Sequence, residues 1–384
     1  MHGGLGRYTY NLKKNLQNKG LRLLVVCDKE GEGEFREISK HNSDNSQVLL
    51  EIVERVKPDI VHVQYEPGLY GLRLDPLNPA KSCTNIDFFY ESCRSPIVTT
   101  FHSCYPFKQW MSLPIPIYDR RQDPYIVRKA KRAVSWWTRL VNYGSFQRLN
   151  LEKLTRSAAS IVFSECMSTR LGGFPHIVYH GAERLHLGAP LNKSQLRKSY
   201  SLPEQGRIAL ALGYATKTKG WDIIEEMDIP DNWIIVINSS KNEYSREEYR
   251  IDANKRNLKN LDLDFLNEEQ LCELFSCADA VILPYKVSSA SGVLFDGLSY
   301  GLPFVASNLE FFDEFASKGL GVTTDRNAAA FSKALLRLDR DYEKYADAVG
   351  EFSKKIGWQQ VADEHLALYQ QIAKRMEMQL QVEV

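Results

Sequence analysis

This chain predicts an α/β fold of two doubly wound domains, and three observations carry the prediction. Short apolar runs alternate with amphipathic, helix-like segments along nearly the whole sequence, the signature of parallel sheets wrapped by helices. At 384 residues the chain is too long for one ordinary domain. The alternation breaks once, into polar and turn residues around Gly188–Gly206, which is where a junction belongs.

In chain order, the strand candidates of the first half are Leu23–Cys27, Ile60–Gln64, Ile97–Thr100 and Ile161–Phe163. Those of the second half are Ile208–Leu212, Trp233–Asn238, Ala280–Leu283 and Phe304–Ala306. Helical spacing of apolar residues marks Tyr8–Lys19, Gln47–Val56, Glu268–Phe275 and Ala328–Leu338 between them. The organisation expected is a first domain over 1–187, a linker over 188–206, a second domain over 207–357 and a helical tail over 358–384.

Composition excludes more than it assigns. The chain is 43% hydrophobic and 25% charged with a net charge of +1, which suits a globular protein and gives no sign of nucleic acid. No apolar run approaches the ~18 residues of a spanning helix, and the opening Met1–His2–Gly3–Gly4 does not read as a signal peptide. Seven cysteines without CxxC spacing fit free thiols in a reducing cytoplasm. Cys272 and Cys277 have no histidine cluster nearby, so no metal site is expected.

The chemistry concentrates in Pro284–Tyr285–Lys286 and Ser291–Gly292–Val293–Leu294–Phe295–Asp296–Gly297. A buried strand leads into a small-residue loop and then a helix start, where backbone N–H groups and the helix dipole hold an anion. Asp296, one turn into that helix, is placed to hold sugar hydroxyls beside a bound phosphate. The arrangement suits a nucleotide diphosphate joined to a sugar. In doubly wound sheets ligands sit at the C-terminal strand ends. Three other segments follow strands in the same way: Gln64–Gly68, Phe101–Ser103 and Gly213–Tyr214.

Taken together, these segments resemble the retaining, nucleotide-sugar-dependent glycosyltransferases of the GT-B architecture, the family 4-like group 1 enzymes. Gly3–Gly4–Leu5–Gly6–Arg7–Tyr8 is similar to that family's glycine loop and first helix. Asp59–Glu66 and Thr99–His102 resemble two strand ends, Leu212–Gly213 with Lys219–Gly220 the start of the donor domain, and Ser291–Pro303 the donor loop and helix. The resemblance implies two Rossmann-like domains facing across a cleft, with no cofactor and no metal, the nucleotide sugar being a co-substrate. It implies donor contacts from Gly3, Gly4, Gly213, Lys217, Ser291, Gly292 and Val293, and a transfer centre with His102, Lys219 and Asp296. Tyr65 and Glu66 fall on the acceptor side, and His180–Gly181–Ala182–Glu183 is similar to the family's linker turn. Each residue also has a plain reading: a tight turn, a solvated lysine, a core histidine, a structural glutamate.

Three departures from the family pattern stand out. Ser288 and Asp296 occupy positions where the family carries two glutamates. Tyr214 stands where an Arg commonly follows the donor-domain glycine, leaving Lys217 to reach the same phosphate as a point charge. The family has a strand before its glycine loop and this chain begins at the loop, so the first sheet is expected to lack a central member, with a misplaced start as the favoured reason.

Between Lys108 and Arg156 stand eleven Lys/Arg against three acids, 11 − 3 giving +8, with Trp110, Trp136 and Trp137 and a helical apolar spacing. One reading is a basic amphipathic helix lying on anionic lipid, which suits a lipid-linked acceptor. The other is a solvated helix packing its tryptophans on the core. The function expected is transfer of a hexose from a nucleotide diphosphate sugar to a hydroxyl acceptor, in the cytoplasm or peripherally at the inner membrane face. A decayed sugar-nucleotide-binding or scaffold protein and a nucleotide-sugar epimerase are the alternatives.

Overall fold

The computed structural model describes residues 4–113, 125–185, 192–241, 251 and 255–382. The chain forms two compact units, one made of Met1–Tyr179 with Gln359–Val384, the other of His180–Trp358.

The first unit runs α1 (Gly4–Gln17), β1 (Val26–Asp28), β2 (Phe35–Ile38), α2 (Asn45–Val56), β3 (Val61–Tyr65), α3 (Asp87–Ser92), β4 (Ile97–Phe101), α4 (Phe107–Trp110), α5 (Tyr125–Arg156), β5 (Ala159–Val162), α6 (Glu165–Leu171) and β6 (His176–Ile177). β3 to β6 form a parallel sheet in chain order, whose strand β4 is buried at every position. β1 and β2 pair in parallel as a separate two-stranded sheet. The apolar run at Leu23 therefore yields only a short strand, and β2, with Arg36 and Glu37 in its middle, gives no apolar signal. Among the described residues, β3 has a strand partner only on its β4 side.

The second unit runs α7 (Lys193–Ser199), β7 (Arg207–Tyr214), α8 (Trp221–Glu226), β8 (Trp233–Ser240), β9 (Leu258–Asn260), α9 (Glu268–Cys277), β10 (Ala280–Leu283), α10 (Gly292–Ser299), β11 (Phe304–Ser307), α11 (Glu310–Ser317), β12 (Gly321–Thr324), α12 (Ala328–Arg340) and α13 (Tyr342–Ser353). Its sheet is wholly parallel in the order β12-β11-β10-β7-β8-β9. The chain thus builds outward from β7, returns, and builds outward again from β10. The point between those two strands is the topological switch point of the sheet, where doubly wound folds place a crevice at the C-terminal strand ends. One side of the sheet is sealed by Trp221, Ile224, Trp233, Phe331 and Leu335, packed on Ile235, Ile237 and Ile282.

Two expected boundaries differ from those observed. The stretch around 188–206 is not a bare linker. Its residues 186–191 lie outside the described residues, and α7 then packs on α9 within the second unit. Arg197 explains why its polar residues are ordered. The guanidinium is buried and donates to Glu204 O and Gly206 O, each at 2.9 Å, and to Asp279 Oδ2 at 2.7 Å. The tail is one helix, α14 (Trp358–Val382), and from Gln359 it belongs to the first unit. Val361, His365, Leu368 and Ile372 recur at helical spacing and are all buried, so the tail is part of a core.

α10 lies unusually close to β10. A Cβ on Gly297 would fall 2.4 Å from Val281 Cγ2, so only glycine lets helix and strand meet at this depth. Gly297→Ala is expected to destabilise the protein by about 1–3 kcal/mol through overpacking, read as a lower urea midpoint with an unchanged m-value.

Candidate active site

The switch point of the second unit's sheet is where the predicted donor residues gather. β7 ends at Gly213 and Tyr214, and a short 3-10 turn over Lys217–Lys219 follows before α8. β10 ends at Leu283, and Pro284 to Ser291 lead into α10. The two loops are pinned together. Gly220, at φ +75°, brings its α-carbon so close to Pro284 O that a Cβ would sit 1.9 Å from it. The Lys286 amide donates to Thr218 O at 2.8 Å, and Lys286 Nζ pairs with Asp222 Oδ2 at 2.7 Å.

Lys219 is held from two sides. Its stem lies over Gly213, where a Cβ would stand 3.2 Å from Lys219 Cε. Its Nζ sits 3.8 Å from the centroid of the Tyr285 ring. A flexible lysine is thereby presented as an oriented cation. Lys217 is exposed beside it.

The start of α10 supplies the opposite wall. Ser291 caps the helix, its Oγ accepting from the Leu294 amide at 3.3 Å. The amides of Gly292 and Val293 lie in the first turn, where a helix offers no carbonyl to bond and carries partial positive charge. Asp296 is half-buried and four residues after Gly292. Helical Cβ vectors tilt toward the N-terminus, so its carboxylate is carried on the same side as that first turn.

His180 joins this wall from the start of the second unit. Its ring stacks on Phe295 with centroids 5.6 Å apart and planes 18° apart, and its Nε2 faces the Gly292 α-carbon. Gly181 is required because the Trp358 ring lies on its backbone, with Trp358 Cε3 2.4 Å from where a Cβ would be. Ser288 behaves differently from the carboxylate expected at its position. It is buried, and its hydroxyl turns back to donate to Ala290 O at 2.9 Å. Tyr214 meets Phe265 edge-on at 6.0 Å, while its carbonyl accepts from Trp221 Nε1 at 3.0 Å.

In the first unit, the strand ends carry a second polar group. His102 follows β4, its Nε2 2.9 Å from Gln64 Oε1, with Tyr8 and Phe163 edge-on at 5.5 and 5.1 Å. The contacts continue inward. Gln64 Nε2 stands 3.4 Å from His62 Nε2, which meets Thr100 Oγ1 at 2.8 Å, while His62 Nδ1 meets the Tyr369 hydroxyl at 2.6 Å. His365 lies beside it with ring centroids 5.6 Å apart, its Nδ1 2.7 Å from Val361 O. Burial, helped by the neighbouring His365 and His102, holds His62 well below the usual histidine range, and burial brings His365 down to about 4. Both rings are therefore neutral in the folded protein.

Glu66 is half-buried, and burial raises its carboxyl above the usual carboxylate range although Ser103 Oγ donates to it. Tyr65 is a core residue, fully buried among Tyr70, Tyr90 and Phe101. Its parity on β3 turns it away from the face that carries His62 and Gln64. Gly4 opens α1, and Gly3 lies outside the described residues.

Gly213, Lys217, Lys219, Ser291, Gly292, Val293 and Asp296 therefore meet in one unit, and His102 and Glu66 stand in the other. In the sequence Gln64 stands out only as part of a strand end. His62, His365, Tyr369 and the ring partner Tyr285 gave no functional signal, because each depends on a fold contact.

These features agree with known families. The Glycosyltransferase Family 4 model matches residues 2–149, and that of Glycosyl transferases group 1 matches residues 192–355. No curated protein matches the chain by sequence. Among solved structures it is similar to sucrose-phosphate synthase from Thermosynechococcus elongatus, with TM-score 0.62, 14% identity, and coverage of 96% of this chain and 94% of that one. A glycosyltransferase from Rickettsia africae aligns over 97% and 96% of the two chains, with TM-score 0.60 and 14% identity. The Anabaena protein HepE in complex with UDP-glucose aligns over 98% and 97%, with TM-score 0.57 and 13% identity.

Proposed function

Because this chain belongs to the group 1 glycosyltransferases of the GT-B type, we propose that it moves a hexose from a nucleotide diphosphate sugar to a hydroxyl acceptor with retention of configuration. The observation that carries the reading is the meeting of Lys219, held over Gly213 and Tyr285, with the start of α10 at one switch point. In this reading Lys219 and Lys217 neutralise the diphosphate, and the Gly292 and Val293 amides bind its oxygens. Asp296 accepts from ribose hydroxyls. HepE, a structure of similar fold, carries UDP-glucose, which supports a nucleotide sugar as the donor.

Transfer on one face needs no separate carboxylate base. The bond from the sugar's anomeric carbon to the diphosphate oxygen breaks while the bond to the acceptor oxygen forms. The acceptor proton passes to the departing diphosphate oxygen. Stabilising negative charge on that oxygen is the main catalytic task, and an oriented ammonium beside helix amides suits it. His102, steered by Gln64, and half-buried Glu66 are the acceptor-side groups of the reading. It includes no metal and no cofactor, a cytoplasmic site of action, and peripheral contact with an anionic membrane.

A thermal-shift panel of UDP, GDP, ADP and dTDP sugars tests the donor. Stabilisation by one nucleotide class, followed by transfer or donor hydrolysis, is the expected result. Ser288 favours a second reading, a sugar-nucleotide-binding protein that has lost transfer, because its hydroxyl serves the loop itself. Nucleotide-induced stabilisation without turnover of any donor would select that reading, and no shift with any nucleotide would remove both.

A further inference from the structure

A neutral histidine carries its proton on one ring nitrogen, and its neighbours decide which. For His102 the deciding neighbours lie further back along the strands of the first unit. Gln64 Oε1, which can only accept, stands 2.9 Å from His102 Nε2. The proton is therefore on Nε2 and the lone pair on Nδ1. Tyr8 and Phe163 stand edge-on to the ring at 5.5 and 5.1 Å, so packing holds its plane.

Gln64 is oriented in turn by His62, two residues back on the same face of β3. The amino end of Gln64, which can only donate, faces His62 Nε2 at 3.4 Å, and Thr100 Oγ1 stands 2.8 Å from the same nitrogen. His62 Nε2 is thus the acceptor of both. Burial keeps this ring neutral, so its proton sits on Nδ1 and is donated to the Tyr369 hydroxyl at 2.6 Å. His365 stands outside this chain of bonds. Its own Nδ1–H goes to Val361 O at 2.7 Å, and it meets His62 ring to ring.

One reversed arrangement is also self-consistent. With the Gln64 amide turned over and the Tyr369 hydroxyl donating, both histidines would carry the proton on the opposite nitrogen. Turning only one group sets donor against donor. The tautomers of His62 and His102 therefore change together.

We propose that Tyr369, on α14, is a positioning residue for the acceptor-side site: through His62 and Gln64 it keeps the proton of His102 on Nε2. A substrate hydroxyl that reaches the ring then finds a lone pair on Nδ1 rather than an N–H. Without the Tyr369 hydroxyl, the Nδ1–H of His62 would be orphaned. An orphaned N–H costs more than an unused lone pair. The proton would move to Nε2, Gln64 would turn over, and His102 would change tautomer. The role in transfer rests on the transferase reading above, but the tautomer is measured without donor or acceptor, so each can fail alone.

The test is long-range ¹H–¹⁵N correlation NMR of the full chain with labelled histidine at neutral pH. His102 is assigned from the signals lost in His102→Asn. Wild type is expected to show His102 as the Nε2–H tautomer and His62 as the Nδ1–H tautomer. Tyr369→Phe removes one oxygen and should keep the fold, and in it both tautomers are expected to reverse. Its kcat/KM for transfer should fall roughly three- to tenfold, the worth of one neutral hydrogen bond. His365→Leu disturbs the same helix without touching the bonded chain, and should leave the His102 tautomer as in wild type. Tyr369→Phe placed on Gln64→Leu should no longer move it. An Nδ1–H tautomer in wild-type His102 would overturn the proposal without any variant. So would an unchanged tautomer in Tyr369→Phe, an equal change in His365→Leu, or a response that survives Gln64→Leu. The same coupling in a chain that turns over no nucleotide sugar would support the positioning and count against transfer.

Discussion

Lys219→Ala is expected to lower kcat/KM for donor-dependent transfer by about 10²–10³, the range seen when one group facing a developing anion is removed. The melting temperature should hardly move, because Lys219 is half-exposed and closes no cavity. Lys219→Met separates charge from packing. It keeps a stem over Gly213 and an apolar tip near the Tyr285 ring, so it should fold as wild type and be as slow as the alanine variant. Steady-state kinetics with the donor found by thermal shift decide the matter. If both variants retain near-wild-type kcat/KM, the ammonium does not serve the leaving group. A fall confined to Lys219→Ala would make the stem a packing element.

Acid is expected to destabilise the first unit well above the usual carboxylate range. His62 and His365 are neutral when folded but titrate near 6.5 when unfolded. Between those values the unfolded chain binds more protons, so unfolding free energy falls as pH falls. The stability is complete above about 6.5 and is lost as the pH approaches about 4. For His365 alone the drop from 6.5 to about 4 corresponds to roughly 3 kcal/mol. Glu66 works in the opposite direction: its raised pKa means the folded state takes up a proton first, which offsets part of the loss on acidification. His365→Leu isolates the histidine contribution. Urea titrations at pH 7 and pH 5 should show a smaller difference for that variant than for wild type, and an identical difference would refute the assignment.

The parts of the fold that could be read in advance are those written locally. Val281–Leu283, the Ser–Gly loop and the helix behind it follow one another in sequence, and the anion-binding geometry is a property of that order. The inner strands of the second sheet, β7, β8, β10 and β11, carry apolar runs because both faces are covered. What could not be read depends on distant chain segments. β3 reads Val–His–Val–Gln–Tyr, and nothing local says which parity faces the interior, so Tyr65 was expected on the acceptor side and lies in the core. His62 meets Tyr369 across 307 residues of sequence. The α7 segment looked like a linker because Arg197 ties its own following loop, through Glu204 O and Gly206 O, to Cys277 O at the end of α9, 80 residues on. Counting charges between Lys108 and Arg156 likewise could not show that Arg148 pairs with Glu152, Lys153 with Asp87 and Arg156 with Glu91, since ion pairs are invisible to a count.

The crossing of α14 into the first unit has a consequence for biosynthesis. The second unit is one uninterrupted stretch, His180–Trp358, and its two ends are close, with the His180 and Trp358 rings 6.4 Å apart. The first unit is discontinuous, and Gln359 onward leaves the ribosome after every residue of the second. The nascent chain can thus complete the second unit while the unit begun earlier still lacks the helix that covers His62. The half translated first is the half finished last, and until α14 arrives its polar interior is open to water.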